Sequence, residues 1–300
     1  MPHTISYSTL CNVLPQQRLL MYEKVFNTTD PLELHGAYIW SIKLAASIYP
    51  LLSTLEVALR NSIHTTATQL IGADWYDKLA TKVRTQYQAP QRDQSNIDWH
   101  NKQVTDIKKK IKRKTPARGL NKHDLLVAKM DFGFWDNLLR ECFSVNGNPM
   151  ALWPRCTPIV FPNLPSGYTN TNAHDEISEL RELRNDIAHH SPIWKNRTVY
   201  DKLTAITYIN QRIDKIIEVI EWLSRDKVNW IEVHMLVAEA RRVASLNYLE
   251  LCQRKDMNHV EVKFSCFRRE LKKQFKVLNI NEFKVVNNNN SLFLITKIST

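Results

Sequence analysis

The sequence predicts an all-α protein that closes with a small C-terminal β-hairpin. Apolar residues recur at helical spacing through most of the chain, only 6 of 300 residues are glycine, and short β-type runs are confined to the last twenty or so positions. Residues 15–28 have helical spacing. Asp30 and Pro31 supply an N-cap and a first-turn proline for a helix to about Tyr49, where Pro50 interrupts it. A second helix is expected from Leu51 to about Leu70, a polar and strongly basic one over 92–114, and an apolar one with aromatic weight over 121–143. Residues 144–170, with Asn, Gly and several Pro, read as loop. The next helix runs from about His174 to His190 and is stopped by Pro192. Residues 198–224 make a long amphipathic helix, and 227–247 and 259–276 read as helical. Phe283–Val286 and Leu292–Ile295 flank Asn287–Asn290 and form the terminal hairpin. No internal repeat is present.

Composition narrows the partners. Lys and Arg number 41 against 30 Asp and Glu, a formal charge of +11, and the excess is clustered, which points to nucleic acid. The densest run is Lys108, Lys109, Lys110, Lys112, Arg113, Lys114, Arg118 and Lys122. Such a run can be a solvated helix face, but it also suits a phosphate-tracking surface that adds salt-dependent, sequence-blind affinity. Arg241, Arg242, Arg254, Lys255, Arg268, Arg269, Lys272 and Lys273 form a second basic group that reads either as another basic surface, for substrate or an inhibitory RNA, or, with a slight preference, as helix exterior. Cys11, Cys142, Cys156, Cys252 and Cys266 are odd in number and widely spaced, so neither a disulfide framework nor a zinc ribbon is indicated and reduced thiols in a cytoplasm are expected. The N-terminus lacks a basic region followed by an apolar run, so no signal peptide is expected, and Ala37 to Leu59 reads as buried helix and not as a membrane span. No Gly-rich phosphate loop supports nucleotide-transfer chemistry. Trp40, Trp135, Trp153, Trp194 and Trp222 sit among apolar neighbours and are expected in the core, with stacking on a base as an alternative for Trp194.

The residues that carry chemistry lie between Glu179 and His190. On a helical wheel Ile177, Leu180, Leu183, Ile187 and Ala188 make an apolar stripe, and Arg184 falls inside it. A charge there is costly unless that side of the helix borders a polar site. Asn185 and His189 lie four apart on a neighbouring face, with His190 beside them. A second polar row, Glu56, Arg60 and His64, with Asn61, flanks the stripe of Leu52, Leu55, Leu59 and Ile63. Glu56 is placed to pair with Arg60, and the row to support the site around Arg184 if the two helices pack side by side.

Arg184-Asn185 followed after three residues by His189 resembles the arginine–histidine motif of HEPN domains. The surroundings resemble the Abi-like branch, abortive-infection proteins of the AbiD/AbiF type, in Leu55-Glu56-Val57-Ala58-Leu59-Arg60-Asn61, Asp131-Phe132-Gly133-Phe134-Trp135, Leu152-Trp153-Pro154, Val160-Phe161-Pro162 and His189-His190 with Trp194. The likeness covers roughly residues 15–225 and makes 1–225 an Abi-type HEPN-like domain, with 226–300 a helical extension ending in the hairpin. Asp186 inside the motif and Pro192 after it depart from the pattern. The resemblance implies a HEPN-like helical bundle with additional helices, a homodimer in which two motifs face each other, and an endoribonuclease in phage defence or toxin–antitoxin biology.

The residue types suit that chemistry. RNA carries its own nucleophile, the 2′-hydroxyl, so a base must take its proton and an acid must protonate the leaving 5′-oxygen. An imidazole, with an ordinary pKa of about 6.5, can do either. A planar, always-charged guanidinium stabilises the phosphorane-like charge. Arg184, Asn185, His189 and His190 are thus the expected catalytic set, with Glu56, Arg60, Asn61 and His64 in support. The expected product is a 2′,3′-cyclic phosphate, formed without metal or other cofactor. The expected partners are RNA, an antitoxin that is a small RNA or a protein, and a second copy of the chain, with no membrane. Two alternatives stand beside this reading: a catalytically idle HEPN module that binds RNA or a protein, and a metal-dependent nuclease using His174, Asp175, His189 and His190.

Overall fold

The computed structural model describes residue 12 and residues 14–81, 91–112, 122–253, 260–261, 266–279, 282–288 and 291–296. They are predominantly helical. In chain order the helices are α1 (Gln16–Phe26), α2 (Pro31–Ile71), α3 (Trp75–Lys78), α4 (Gln91–Ile111), α5 (Lys122–Val127), α6 (Phe132–Asn137), α7 (Thr157–Val160), α8 (Asn170–Ala188), α9 (Lys202–Leu223), α10 (Arg225–Val233), α11 (Leu236–Val243), α12 (Leu246–Gln253) and α13 (Phe267–Val277). Strands β1 (Val260–Glu261), β2 (Phe283–Asn288) and β3 (Ser291–Thr296) form a sheet in that order. β1 lies parallel to β2, and β2 antiparallel to β3 with Val285 opposite Leu294.

Several boundaries differ from the sequence reading, each for a local reason. Pro50 does not divide α2, which runs unbroken for 41 residues. Apolar side chains on both sides of it, Leu44, Ile48, Leu51, Leu52 and Leu55, are fully buried and hold the helix together. The carbonyl left without a donor is that of Ala46, an exposed residue where water can take its place. The apolar segment 121–143 breaks into α5 and α6 because Asp131 caps the second helix, its Oδ1 accepting from the Phe134 N–H at 2.9 Å. Met235, in the left-handed region at φ 62°, separates α10 from α11. The stretch 259–276 opens on β1 before α13 begins. A short helix, α7, interrupts the loop 144–170, and α8 begins four residues earlier than expected, at Asn170.

By packing the chain divides into two compact units, a division distinct from the sequence boundary at 225/226. One comprises Met1–Leu51, Asp186–Asp214 and Asn229–Thr300, the other Leu52–Asn185 and Lys215–Val228. In the first, Tyr22 and Phe26 of α1 meet Trp194 edge-on, each with ring centres 5.1 Å apart. The indole N–H of Trp40 donates to the Val243 carbonyl at 2.7 Å, and that of Trp194 to Ser41 Oγ at 3.2 Å. Both rings are fully buried, so Trp194 belongs to the core and is not free to stack on a base. In the second unit the buried stripe Leu52, Leu55, Leu59 and Ile63 shares a core with Trp75, Phe134, Trp135, Trp153, Ile177 and Leu180. Trp153 donates to the Leu138 carbonyl at 2.6 Å. By length and composition α2 could cross a membrane, and 44% of its most apolar window is buried in the fold.

Candidate functional site

Helix α8 carries most of the predicted residues, and its ends determine where they stand. At its start Asn172 Oδ1 accepts from the Thr169 N–H and hydroxyl. Ile177, Leu180 and Leu183 are buried, as the wheel requires, whereas Ile187 is only half-buried and Ala188 is exposed. The helix stops at Ala188, short of the histidine pair. The Ser191 N–H donates to the Asp186 carbonyl at 2.8 Å and the His190 N–H to the Ile187 carbonyl at 3.1 Å. Those two bonds are a Schellman cap, and its left-handed position is filled by His190, at φ 55°.

Within the second unit Arg184 and Asn185 occupy the last full turn of α8, and Arg184 Nε lies 3.8 Å from Glu56 Oε2 on α2. The side chains are 31% and 24% exposed, so the pair is reachable from solvent. Burial pushes the Glu56 carboxyl above its ordinary range, and the Arg184 guanidinium pulls it back less strongly. The expected Glu56–Arg60 pairing is replaced: Glu56 faces Arg184, and Arg60 Nε donates to Asn61 Oδ1 at 3.3 Å. A cation from a packed neighbouring helix competes better for a half-buried carboxylate than a solvated one on the same helix. His64 is drawn into structural work, since its Nδ1 accepts from the indole N–H of the fully buried Trp75 at 3.1 Å. Nδ1 therefore carries no proton, and burial holds the ring below the usual imidazole range.

His189 and His190 belong to the first unit and are exposed. His189 is the residue immediately after the end of α8, and Arg18 Nη2 of α1 donates to the His190 carbonyl at 2.8 Å.

A buried polar cluster escaped the sequence reading. Asp136 of α6 is 2% exposed, with Oδ2 2.9 Å from Arg181 Nε and Oδ1 3.6 Å from His174 Nε2. Burial pushes its carboxyl up, and His174, Arg181 and Arg140 pull it back. Arg181 lies one turn before Arg184, so this carboxylate fixes the side of α8 that leads to the motif. A lone acid in the aromatic run Phe132 to Asn137 was the available signal. His174 also contacts Asp175, at 3.2 Å, and among the described residues no group of three or more His, Cys, Asp or Glu is placed to hold a metal.

The basic segment is helix α4, anchored by buried Ile97, Val104, Ile107 and Ile111. Lys108 pairs with Asp77 at 2.5 Å and Lys109 with Asp106 at 3.7 Å. Lys108, Lys109, Lys112 and Lys122 line a concavity of about 470 Å³ together with Tyr76 and His123. Arg113, Lys114 and Arg118 lie outside the described residues. Of the second basic group, Arg241 pairs with Asp214 at 2.6 Å and Arg242, largely buried, with Glu239.

The chain is mostly helical and strongly basic, with an Arg-Asn pair in the last turn of one helix and a histidine pair just beyond it. The family model described as Abi-like protein matches residues 7–195, and the chain belongs to the Abi-like family. Membership ties it to abortive infection, the defence of bacteria against phage. Neither the comparison with curated proteins nor that with solved structures gives a match.

Proposed function

We propose that this chain is a metal-independent endoribonuclease of the HEPN type, of the AbiD/AbiF kind, acting as the toxin of an abortive-infection or toxin–antitoxin system. The observation that carries the reading is the exposed His189 at the end of the helix that bears Arg184 and Asn185. Arg184 is held by Glu56 through its Nε edge, which leaves both terminal nitrogens to fork onto a phosphate. His189 takes or returns the proton of the 2′-hydroxyl attack, and Asn185 holds a phosphate oxygen. The bond from the 2′-oxygen to phosphorus forms as the bond to the 5′-oxygen breaks, leaving a 2′,3′-cyclic phosphate and a free 5′-hydroxyl. The enzyme works in the cytoplasm as a homodimer, so that two histidines divide the acid and base roles. An antitoxin, a small RNA or a protein, restrains it. Lys109, Lys110, Lys112 and Lys122, all exposed, guide the RNA backbone.

Incubating purified protein with RNA in excess chelator, and reading the ends by mass spectrometry, tests this. The expected result is cyclic-phosphate ends from the wild type and none from His189→Ala, with RNA binding retained in the variant. Cleavage that persists in His189→Ala rejects the site, and a wild type that binds RNA without cutting it makes the chain an idle HEPN module.

A further inference from the structure

Two concavities of the first unit meet at one residue. The first, of about 450 Å³, is lined by residues that include Tyr22, Tyr38, Ser41, Tyr49, His190 and Ser191. It is largely apolar and aromatic, and its volume is that of a small-ligand pocket. Tyr49 and Ile42 are each 48% exposed on α2, so its mouth opens to solvent. The second, of about 580 Å³, is polar and lies against the same Ser191, with Arg18, Lys195, Gln17 and Asp186 around it. A π-faced slot and a cationic one that share Ser191 match the two halves of a nucleotide, its base and its phosphate.

The backbone points the same way. The cap position of α8 is left-handed, a conformation glycine adopts freely, and His190 fills it, histidine being one of the side chains that enter it more often than most. His190 lines the aromatic slot, while Arg18 clamps the carbonyl of the same residue at 2.8 Å. A residue fixed in that conformation on the wall of a cavity is a candidate for recognition.

We propose that the aromatic slot receives the base of the nucleotide adjoining the cut and that Arg18 and Lys195 hold its phosphate. His190 and Ser191 then read the base edge, so His190 serves selection and His189 chemistry. The assignment rests on the ribonuclease reading above and deepens it. Asp186, in the cationic slot, repels excess phosphate charge and accepts from a sugar hydroxyl. An apolar helix of another protein would fill the slot of Tyr38 and Tyr49 but leave Arg18 and Lys195 without a partner. The charge of +11 favours the polyanion over that helix.

The test uses the full chain carrying His189→Ala, so that RNA stays intact, and a fluorescein-labelled short single-stranded RNA of mixed sequence. Tyr49→Leu with Tyr38→Leu should weaken binding about tenfold, the effect of losing one stacked base. An RNA with an abasic sugar at the nucleotide adjoining the cut should lose a similar factor on the parent protein and almost nothing on the Tyr variant. Lys195→Glu should weaken both RNAs alike. In the cleaving protein, Tyr49→Leu alone should blur the base preference beside the cut. Unchanged binding and unchanged cut-site preference overturn the slot while leaving the nuclease standing. A change of oligomeric state with RNA binding intact also overturns it, since the face then belongs to a second copy. A wild type that neither binds nor cuts RNA removes both readings.

Discussion

At the scale of single residues, the helix α2 row divides its labour. Glu56 reaches across to Arg184, Arg60 leans on Asn61, and His64 turns its Nδ1 to Trp75. His64→Ala therefore leaves a buried indole N–H without an acceptor, which costs about 1–3 kcal/mol. Urea denaturation should show that loss, while RNA cleavage by the folded variant stays near the wild-type level. A loss of cleavage at unchanged stability would instead put His64 in the chemistry. The motif Arg184, Asn185 and His189 could be read from spacing because all three lie within six consecutive positions of the chain. Asp136 could not, because its partners Arg181 and His174 are some forty residues away and only packing joins them.

At the scale of elements, close approach decides what is tolerated. Gly36 of α2 sits against the end of α12, where an added Cβ would stand 2.4 Å from the Cys252 carbonyl oxygen and from the Gln253 Cα. Both are backbone atoms, so nothing can swing aside. Gly36→Ala gains about 1 kcal/mol of helix propensity but forces two backbones apart, and overpacking costs about 1–3 kcal/mol or more. The expected outcome is a lower denaturation midpoint; an unchanged or raised midpoint would mean that the two helices do not pack this closely. Asp131→Ala should cost about 1 kcal/mol by uncapping α6, measurable in the same experiment. Periodicity located the long helices well, because a buried stripe needs the 3.6-residue repeat. It missed their ends, which depend on caps such as Asp131 and His190 and on the burial that carries α2 past Pro50.

At the scale of the whole molecule, burial of titratable groups makes stability depend on pH. His100 is 1% exposed between Phe134 and Phe143, its Nε2–H given to the Tyr76 carbonyl at 3.1 Å and its Nδ1 without a hydrogen-bond partner among the described residues. Burial holds both His100 and His64 below the ordinary imidazole value near 6.5. The unfolded chain therefore takes up their protons first, and the stability they contribute is full above about pH 6.5 and lost as pH falls toward their lowered values. Glu56 and Asp136, pushed up by burial, act in the opposite sense: what they contribute is full below about pH 4 and lost as pH rises through their raised values. On going from pH 7 to 5 the melting temperature of the wild type should drop relative to that of His100→Gln. Parallel slopes for the two proteins would show that His100 does not couple folding to protons.

The sequence by itself determined the helical class, the basic character, the motif at the end of α8 and the match to the Abi-like family, because each rests on residues near one another in the chain or on composition. Only the tertiary structure decided that Glu56 serves Arg184, that His64 serves Trp75, that Trp194 is core, and that an aromatic and a cationic slot meet at Ser191. Those relations join residues from eleven to more than a hundred positions apart, and no local periodicity encodes such a pairing. It is settled by which apolar faces the chain can bury together and which polar groups that burial then forces into each other's company.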